Sequence, residues 1–406
     1  MTTRFDPGVL TPDPVARVQM LGWLEAGLRA VEPEALTGAA LARRHRDRTL
    51  VIAIGKAAAA MARGAASVLD VAGGVCVSDH PEPVPDTMRL VIGDHPVPGP
   101  ASLEAGAAVL EAVQGAPPTM DIVALVSGGG SALCEAPREG VPAGFLSEAT
   151  RRLISRGANI EELNLVRGHL SAIKGGGVAR AAGRPIDTFV ISDVAGAGPG
   201  VVASGPTIPR THDPEGAAAV LRGLSIEIPA GVLEAMSREP LSLPNPNVTL
   251  LADGHTAARG VASVTPPPVT VVGEWLRGAM GACLDRFLAM GQPGVTVGAG
   301  EVVLHVTGAG TGGRTTHAAL LAAEHLAGSN DIFCAFATDG VDARSGAAGA
   351  IVDGSTILRG GEPADALREF DSAGYLARTS DLLRCPPTGT NVSDLWILWR
   401  RSSGSS

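Results

Sequence analysis

Two textures alternate along the first half of this chain. Short apolar runs at 50–54, 75–77, 89–93 and 122–126 end in Gly, Ser or other turn residues, and alanine- and leucine-rich stretches of helical spacing lie around them. The spacing predicts helices over 14–47, from Lys56 through Ala66, over 101–113 and across 145–182, and a further strand at 188–191 that ends in Ser192 and Asp193. Unbroken apolar runs are the mark of strands covered on both faces, so this alternation predicts a parallel sheet sandwiched by helices. After a loose Gly/Pro segment (AGAGPGVVASGPT), residues 229–247 read as a connection between domains. The second half restarts with strands near 248–252, 269–273, 301–307 and 331–337, and with helices near 255–263, 275–290 and 314–326. The fold class expected is α/β with two domains: a Rossmann-like parallel-sheet domain over 1–240 and a smaller α/β domain over 241–406.

The most informative stretch is 121–132, DIVALVSGGGSA. An apolar strand runs into Ser127, Gly128, Gly129, Gly130 and Ser131, a loop whose backbone N–H groups are free to surround an anion. Glycine permits backbone conformations and a close ligand approach that a Cβ forbids. Phosphate is the anion expected there; the competing reading is a tight strand-to-helix turn with no ligand.

Composition narrows the class. At 406 residues the chain exceeds one core, which agrees with two domains. With aromatics at only 3%, its cores must be packed with Ala, Val, Leu and Ile. A net charge of -9 argues against nucleic-acid binding, which favours a basic face. The five cysteines form no C-x-x-C pair, which speaks against a disulfide framework or structural zinc and for a cytoplasmic location. The N-terminal MTTRFDPGVLTPDP lacks the features of a signal peptide, and no apolar run approaches the roughly 20 residues needed to span a bilayer. No membrane partner is expected, RRSSGSS reads as a frayed tail, and a homodimer is the expected assembly.

Several residues carry candidate chemistry. Lys56 follows a strand at the edge where open α/β sheets bind ligands, and its ammonium there can neutralise a phosphate; the bland reading is a solvated surface lysine. In NLVRGHLSAIKGGG (164–177), helical spacing puts Asn164, Arg167, Ser171 and Lys174 on one face, suited to a carboxylate or phosphate or simply to solvent. Asp193 and Asp339 end apolar strands, a position that suits Mg²⁺ ligation or deprotonation of a hydroxyl, but also a helix or turn cap. Gly308, Gly310 and Gly313 form a G-x-G-x-x-G before a helix, with Asp331 and Asp339 at the spacing of a ribose carboxylate. That fingerprint supports an alternative reading as an NAD(P)-dependent oxidoreductase, although Arg314 directly after it suits a phosphate better. No Walker A sequence is present.

Together the segments IGKAA (54–58), DHPVPG (94–99), SGGGSAL (127–133), NLVRGHLSAIKGGG (164–177), ISDV (191–194), ASGPT (203–207), GGR (312–314), ATDGVD (337–342), AGAIVDG (348–354) and PTGTNVSDL (387–395) closely resemble the class II glycerate 2-kinases, some of which carry an older label as hydroxypyruvate reductases. The resemblance spans nearly the whole chain in the family's order. It implies two α/β domains with an interdomain cleft, the second with the family's C-terminal module, and ATP- and Mg²⁺-dependent phosphorylation of the 2-hydroxyl of D-glycerate. It also implies Lys56 and Arg314 as catalytic cations and the Ser127–Ser131 loop as a phosphate cradle. In this frame Asp193 or Asp339 would hold Mg²⁺ or take the proton, and Lys174 would join the cofactor site. Asn164, Arg167 and Glu301 would contact the substrate, with Arg167 and Lys174 available to grip its carboxylate.

The chain departs from the family at four loops, 195–200, 253–255, 315–317 and 343–344. GGRTTH stands for GGRNQE, Ala197-Gly198 for a pair of aspartates, and Ala343-Arg344 where a glycine follows TDG-hydrophobic-Asp. Asp253, Gly254 and His255 occupy a segment that usually offers asparagine. Because these loops are presumed to contact ligand, a kinase of another polyol or hydroxy acid is an alternative, and an inactive ligand-binding paralogue a third.

Overall fold

The computed structural model describes residues 5, 13–43, 48–242, 246–290 and 292–401. The chain divides into two compact units, one made of 33–192 and 197–251, the other of 1–32, 193–196 and 252–406.

The first unit is built on six strands, β1 (Thr49–Ile54), β2 (Val71–Ser78), β3 (Met88–Ile92), β4 (Asp121–Val126), β5 (Asp187–Ile191) and β6 (Val248–Ala252), in the order β3-β2-β1-β4-β5-β6. β1 runs parallel to β2 and β4, β2 to β3, and β4 to β5. The central β1 is buried at every position, as its unbroken apolar run predicts. β2 begins earlier than the sequence pattern suggests because Gly73 and Gly74 lie inside it. A Cβ on Gly74 would sit 2.1 Å from the Val51 carbonyl oxygen, so this glycine allows a close backbone approach.

The helical stretch expected over 145–182 resolves into Ala143–Ser155, Ile160–Leu170 and Gly177–Ala182. Gly157 turns at φ 71° before the second helix, whose N-cap Asn159 forms a capping box with Glu162. Gly175 and Gly176, at φ 57° and 85°, separate the second from the third. Leu146, Leu153, Val166 and Leu170 from these helices pack with Leu221 and Met236. Met236 belongs to the helix Ala230–Ser237, so part of the expected connection 229–247 is core structure; its residues 243–245 lie outside the described residues.

The second unit has seven strands, β7 (Val269–Val271), β8 (Leu276–Ala279), β9 (Gly294–Val303), β10 (Ile332–Ala337), β11 (Gly349–Asp353), β12 (Leu382–Leu383) and β13 (Asp394–Arg400). Their order is β12-β11-β10-β13-β9-β7, with β8 also on β9. β9 pairs in parallel with β7 and β8, while β13 is antiparallel to both β9 and β10. This sheet is therefore mixed. Phe287, Phe333 and Trp396 meet edge to face in its core, a preferred arrangement for aromatic quadrupoles.

The expected boundary at 240/241 is corrected at both ends. β6 lies beside β5, and the Thr188 N–H donates to the Asn247 carbonyl at 2.8 Å, so the chain up to Leu251 stays with the first sheet. The expected 14–47 helix is two helices, Pro14–Arg29 and Pro33–Leu41, and the break before Pro33 is also the division between units; residues 44–47 lie outside the described residues. Helix Pro14–Arg29 packs on Gly254–Ala262 in the second unit through small residues. A Cβ on Gly260 would lie 2.5 Å from that of Ala30. Arg17, fully buried, pairs with Asp353 at 2.9 Å and with Asp381.

Candidate active site

In the first unit, β1 ends in Gly55 at φ 125°, and β4 ends in Ser127 beside it. The Ser127 Oγ accepts the Ala57 N–H at 3.0 Å, and the Lys56 N–H donates to the Gly128 carbonyl at 2.9 Å. These bonds tie the lysine turn to the glycine loop. Gly129 turns at φ 82°, and a Cβ there would lie 3.0 Å from Lys56 Cγ, so the lysine stem runs along the loop. Among the described residues, the N–H groups of Gly128 and Gly129 have no protein acceptor and the half-buried Lys56 ammonium has no ion-pair partner. An ammonium beside unclaimed backbone donors is an anion site by charge and by hydrogen bonding. His95 stands near it; desolvation and then the Lys56 charge hold its imidazole below the ordinary pKa.

Ser131 continues from the loop to a second motif. Its hydroxyl meets Ser204 Oγ at 2.8 Å, and Ser204 donates to Asn164 Oδ1 at 2.6 Å. Ala203 and Ser204 are held at φ 50° and 59°, a conformation that costs non-glycine residues energy. Gly130 fits tightly beneath them, since a Cβ on it would lie 2.7 Å from the Ala203 methyl. Sequence reasoning named Asn164 and Ser131 but not Ser204, although the quoted ASGPT contains it.

The expected helical face over 164–174 is corrected. The helix stops at Leu170 and Ser171 is extended, so Lys174 lies beyond it in the stretch that leads to the glycines of 175–177. Lys174 is fully buried and ion-paired to the equally buried Glu135, which also accepts the Ser171 hydroxyl. An ammonium with no exposure and a partner in place belongs to the framework, not to a phosphate or carboxylate ligand. Arg167 is different. It is 5% exposed, its Nε has no partner, and among the described residues no carboxylate pairs with it. Burial lowers its pKa and Glu135 opposes that shift. A buried, unpaired guanidinium is costly unless an anion completes it.

In the second unit, Arg314 opens the helix Arg314–Leu326 after Gly313. Its Nε donates to Asp394 at 3.0 Å and its Nη1 to Glu301 at 2.6 Å. Glu301 therefore orients Arg314, a role not foreseen for it. Burial raises the Asp394 carboxyl to about 7, against the pull of Arg314. Asp342, absent from the expected site, accepts the N–H groups of Thr315 (3.1 Å) and Thr316 (2.9 Å). A carboxylate thus fills the N-terminus of this helix, where a dinucleotide fingerprint would bring pyrophosphate. Gly308 and Gly310 pack against the 369–371 backbone, and Asp331 pairs with Arg400 at 2.8 Å. The dinucleotide reading of 308–313 fails on these contacts.

Asp193 and Asp339 both fall in this unit. The Asp193 carbonyl accepts the Ser393 hydroxyl at 2.6 Å, while one Asp339 carboxylate oxygen accepts the Val341 N–H at 3.0 Å, closing its own turn. Among the described residues no group of three or more His, Cys, Asp or Glu side chains is arranged to hold a metal ion. None of their helices is long and apolar enough to cross a membrane.

Two of the departing segments open helices, Gly254–Ala262 and Arg314–Leu326, and carry ring contacts. His317 lies parallel to Phe370 at 5.2 Å, and His255 lies on Trp275 at 3.9 Å. Ala343, where the family has glycine, keeps a left-handed φ of 49°.

Residues 19–237 match the family described as a domain of unknown function (DUF4147), and residues 294–394 match the MOFRL family. A D-glycerate 2-kinase of Thermotoga maritima is 34% identical over 92% of this chain and 96% of its own length. A glycerate 2-kinase of Pyrococcus horikoshii is 31% identical over 87% of each. The crystal structure of a Thermotoga maritima glycerate kinase superposes with a TM-score of 0.88 at 33% identity, covering 95% of this chain and 99% of that one. Matches of this extent place the chain among the kinases that phosphorylate an alcohol group. It belongs to the class II glycerate kinase family.

Proposed function

We propose that this chain transfers the terminal phosphoryl group of ATP to the 2-hydroxyl of D-glycerate. The observation that carries the reading is the Lys56 ammonium, without an ion-pair partner among the described residues, lying along a glycine loop whose Gly128 and Gly129 N–H groups have no acceptor among them. Phosphoryl transfer relies on positioned positive charge around the transferred group more than on covalent chemistry, and this cluster offers that charge ready-placed. Lys56 and the loop 127–131 hold phosphate oxygens. Arg314, oriented by Asp394 and Glu301, supplies the second cation, and Arg167 takes the carboxylate of the acceptor.

Mg²⁺ on ATP keeps most of its water and phosphate ligands and needs only one or two carboxylates. Asp193 is the residue proposed to hold it, and it would neutralise charge developing on the phosphates. Asp339, with one oxygen already engaged by Val341, is the second candidate ligand.

The test is incubation with ATP, Mg²⁺ and D-glycerate, with the position of phosphate on the product read by NMR. Formation of 2-phosphoglycerate, lost in Lys56→Ala, supports the reading. Stabilisation by ATP without transfer overturns the acceptor. The second reading, a kinase of another hydroxy acid or polyol, is favoured by His317, stacked on Phe370, and His255, tilted against Trp275, which put imidazole rings at two of the four departing segments.

A further inference from the structure

A narrow cleft in the first unit is lined by Arg138, Arg180, Arg210, His169, His212 and Thr211. It shares no residue with the glycine loop or with Lys56. The helix Ile160–Leu170 has Asn164 and Arg167 among the residues read above and gives Leu165, Gly168 and His169 to this cleft.

The charge here is unbalanced. Arg180 donates to the Gly175 carbonyl at 2.8 Å and Arg138 to the Arg238 carbonyl at 2.6 Å, both uncharged acceptors. The Nη1 of Arg210 is buried and has no hydrogen-bond partner among the described residues. Among the described residues none of the three guanidiniums lies within ion-pair distance of a carboxylate. Of the acids around it, Glu161 acts on Arg210 only at a distance, Glu139 lies by Arg238 at 4.0 Å, and the Asp213 carboxylate caps the helix Pro214–Gly223. Burial lowers the pKa of all three arginines, and for Arg138 and Arg180 a neighbouring arginine adds to that. His169 is no cation to spare: its Nε2 accepts the Asp213 N–H at 3.1 Å, which leaves Nδ1 to donate to the Leu165 carbonyl. Three half-buried positive charges facing one cleft without a counter-ion call for an anion.

We infer that this cleft binds the terminal phosphate of a small phosphate monoester, at a site separate from the glycine loop. A dianion matches the surplus charge better than a single carboxylate, and guanidinium forks suit its oxygens. The enclosed part of the cleft is about 20 Å³, which admits one oxygen and leaves the rest of the ligand at the mouth.

The test is calorimetric titration of the full chain with glycerol 3-phosphate and, separately, with inorganic phosphate. It is carried out in the Lys56→Ala background so that the glycine loop contributes little. Binding that persists in that background and weakens tenfold or more on adding Arg210→Gln or Arg138→Gln is the expected result. A thermal melt establishes that each variant is folded, and Arg210→Lys serves if Arg210→Gln is not. Binding unaffected by either substitution, or absent in the Lys56→Ala background, overturns the inference. Citrate binding more tightly than glycerol 3-phosphate overturns the phosphate assignment, and inorganic phosphate binding as tightly as the ester overturns the requirement for an organic body.

Discussion

Among the described residues no carboxylate pairs with the Lys56 ammonium, so its removal touches ligand binding far more than folding. Lys56→Ala is expected to lower kcat by ~10²–10³-fold with the melting temperature nearly unchanged, as measured by a coupled kinase assay and a thermal melt. Asp394 makes the opposite case, since its burial is what titrates. Its folded pKa of about 7 lies above that of a free aspartate, roughly 3.9. The stability linked to it is therefore fully present below the unfolded value and is lost as pH rises through about 7. Asp394→Asn should gain on the wild type in melting temperature as pH goes from about 5 to 8; a constant difference would refute the assignment. At Ala343 the left-handed backbone stays although the glycine is gone. Ala343→Gly is expected to stabilise by about 1 kcal/mol in denaturant unfolding.

At the scale of elements, the helix Ile160–Leu170 is held by groups that a helical wheel does not show. Its spacing correctly puts Asn164 and Arg167 on one side, but the wheel was drawn too far. The helix ends at Leu170 with Ser171 extended, and Lys174 turns inward to Glu135, a residue thirty-nine positions away. Lys174→Met should cost ~3–5 kcal/mol by leaving Glu135 buried and unpaired, while the double change Lys174→Met with Glu135→Leu recovers much of it. β13 is the other lesson at this scale. DLWILWR is a strongly apolar run late in the chain, a local strand signal that the reading of strands passed over. It becomes central only because β9 and β10 both pair with it.

For the whole molecule, the first 32 residues belong with the C-terminal unit, and a single salt-bridge cluster makes that testable. Arg17 meets Asp353 and Asp381, and Arg359 also pairs with both. Hydrogen bonds from Ser355 and Arg17 overcome burial and hold the Asp353 carboxyl at about 2. Arg17→Met should destabilise by ~3–5 kcal/mol because Asp381 stays buried with one partner fewer. An unchanged melting temperature would mean that this segment does not anchor the unit.

The sequence by itself determined the α/β class, the parallel order of buried strands in the first half, the glycine loop with its lysine, and membership of a kinase family. Each is written in local pattern: unbroken apolar runs, glycines at strand ends, and short motifs in a fixed order. Tertiary structure alone decided which charges are available. In sequence Lys174 is as good a candidate cation as Arg167 and Lys56, but Glu135, brought from a distant segment, neutralises it, while among the described residues no carboxylate pairs with the other two. It also decided that Asp342 closes the helix after Gly313 and that the helix Pro14–Arg29 joins the C-terminal unit. Those outcomes depend on pairings across tens to hundreds of residues, and the spacing of neighbouring side chains carries no record of them.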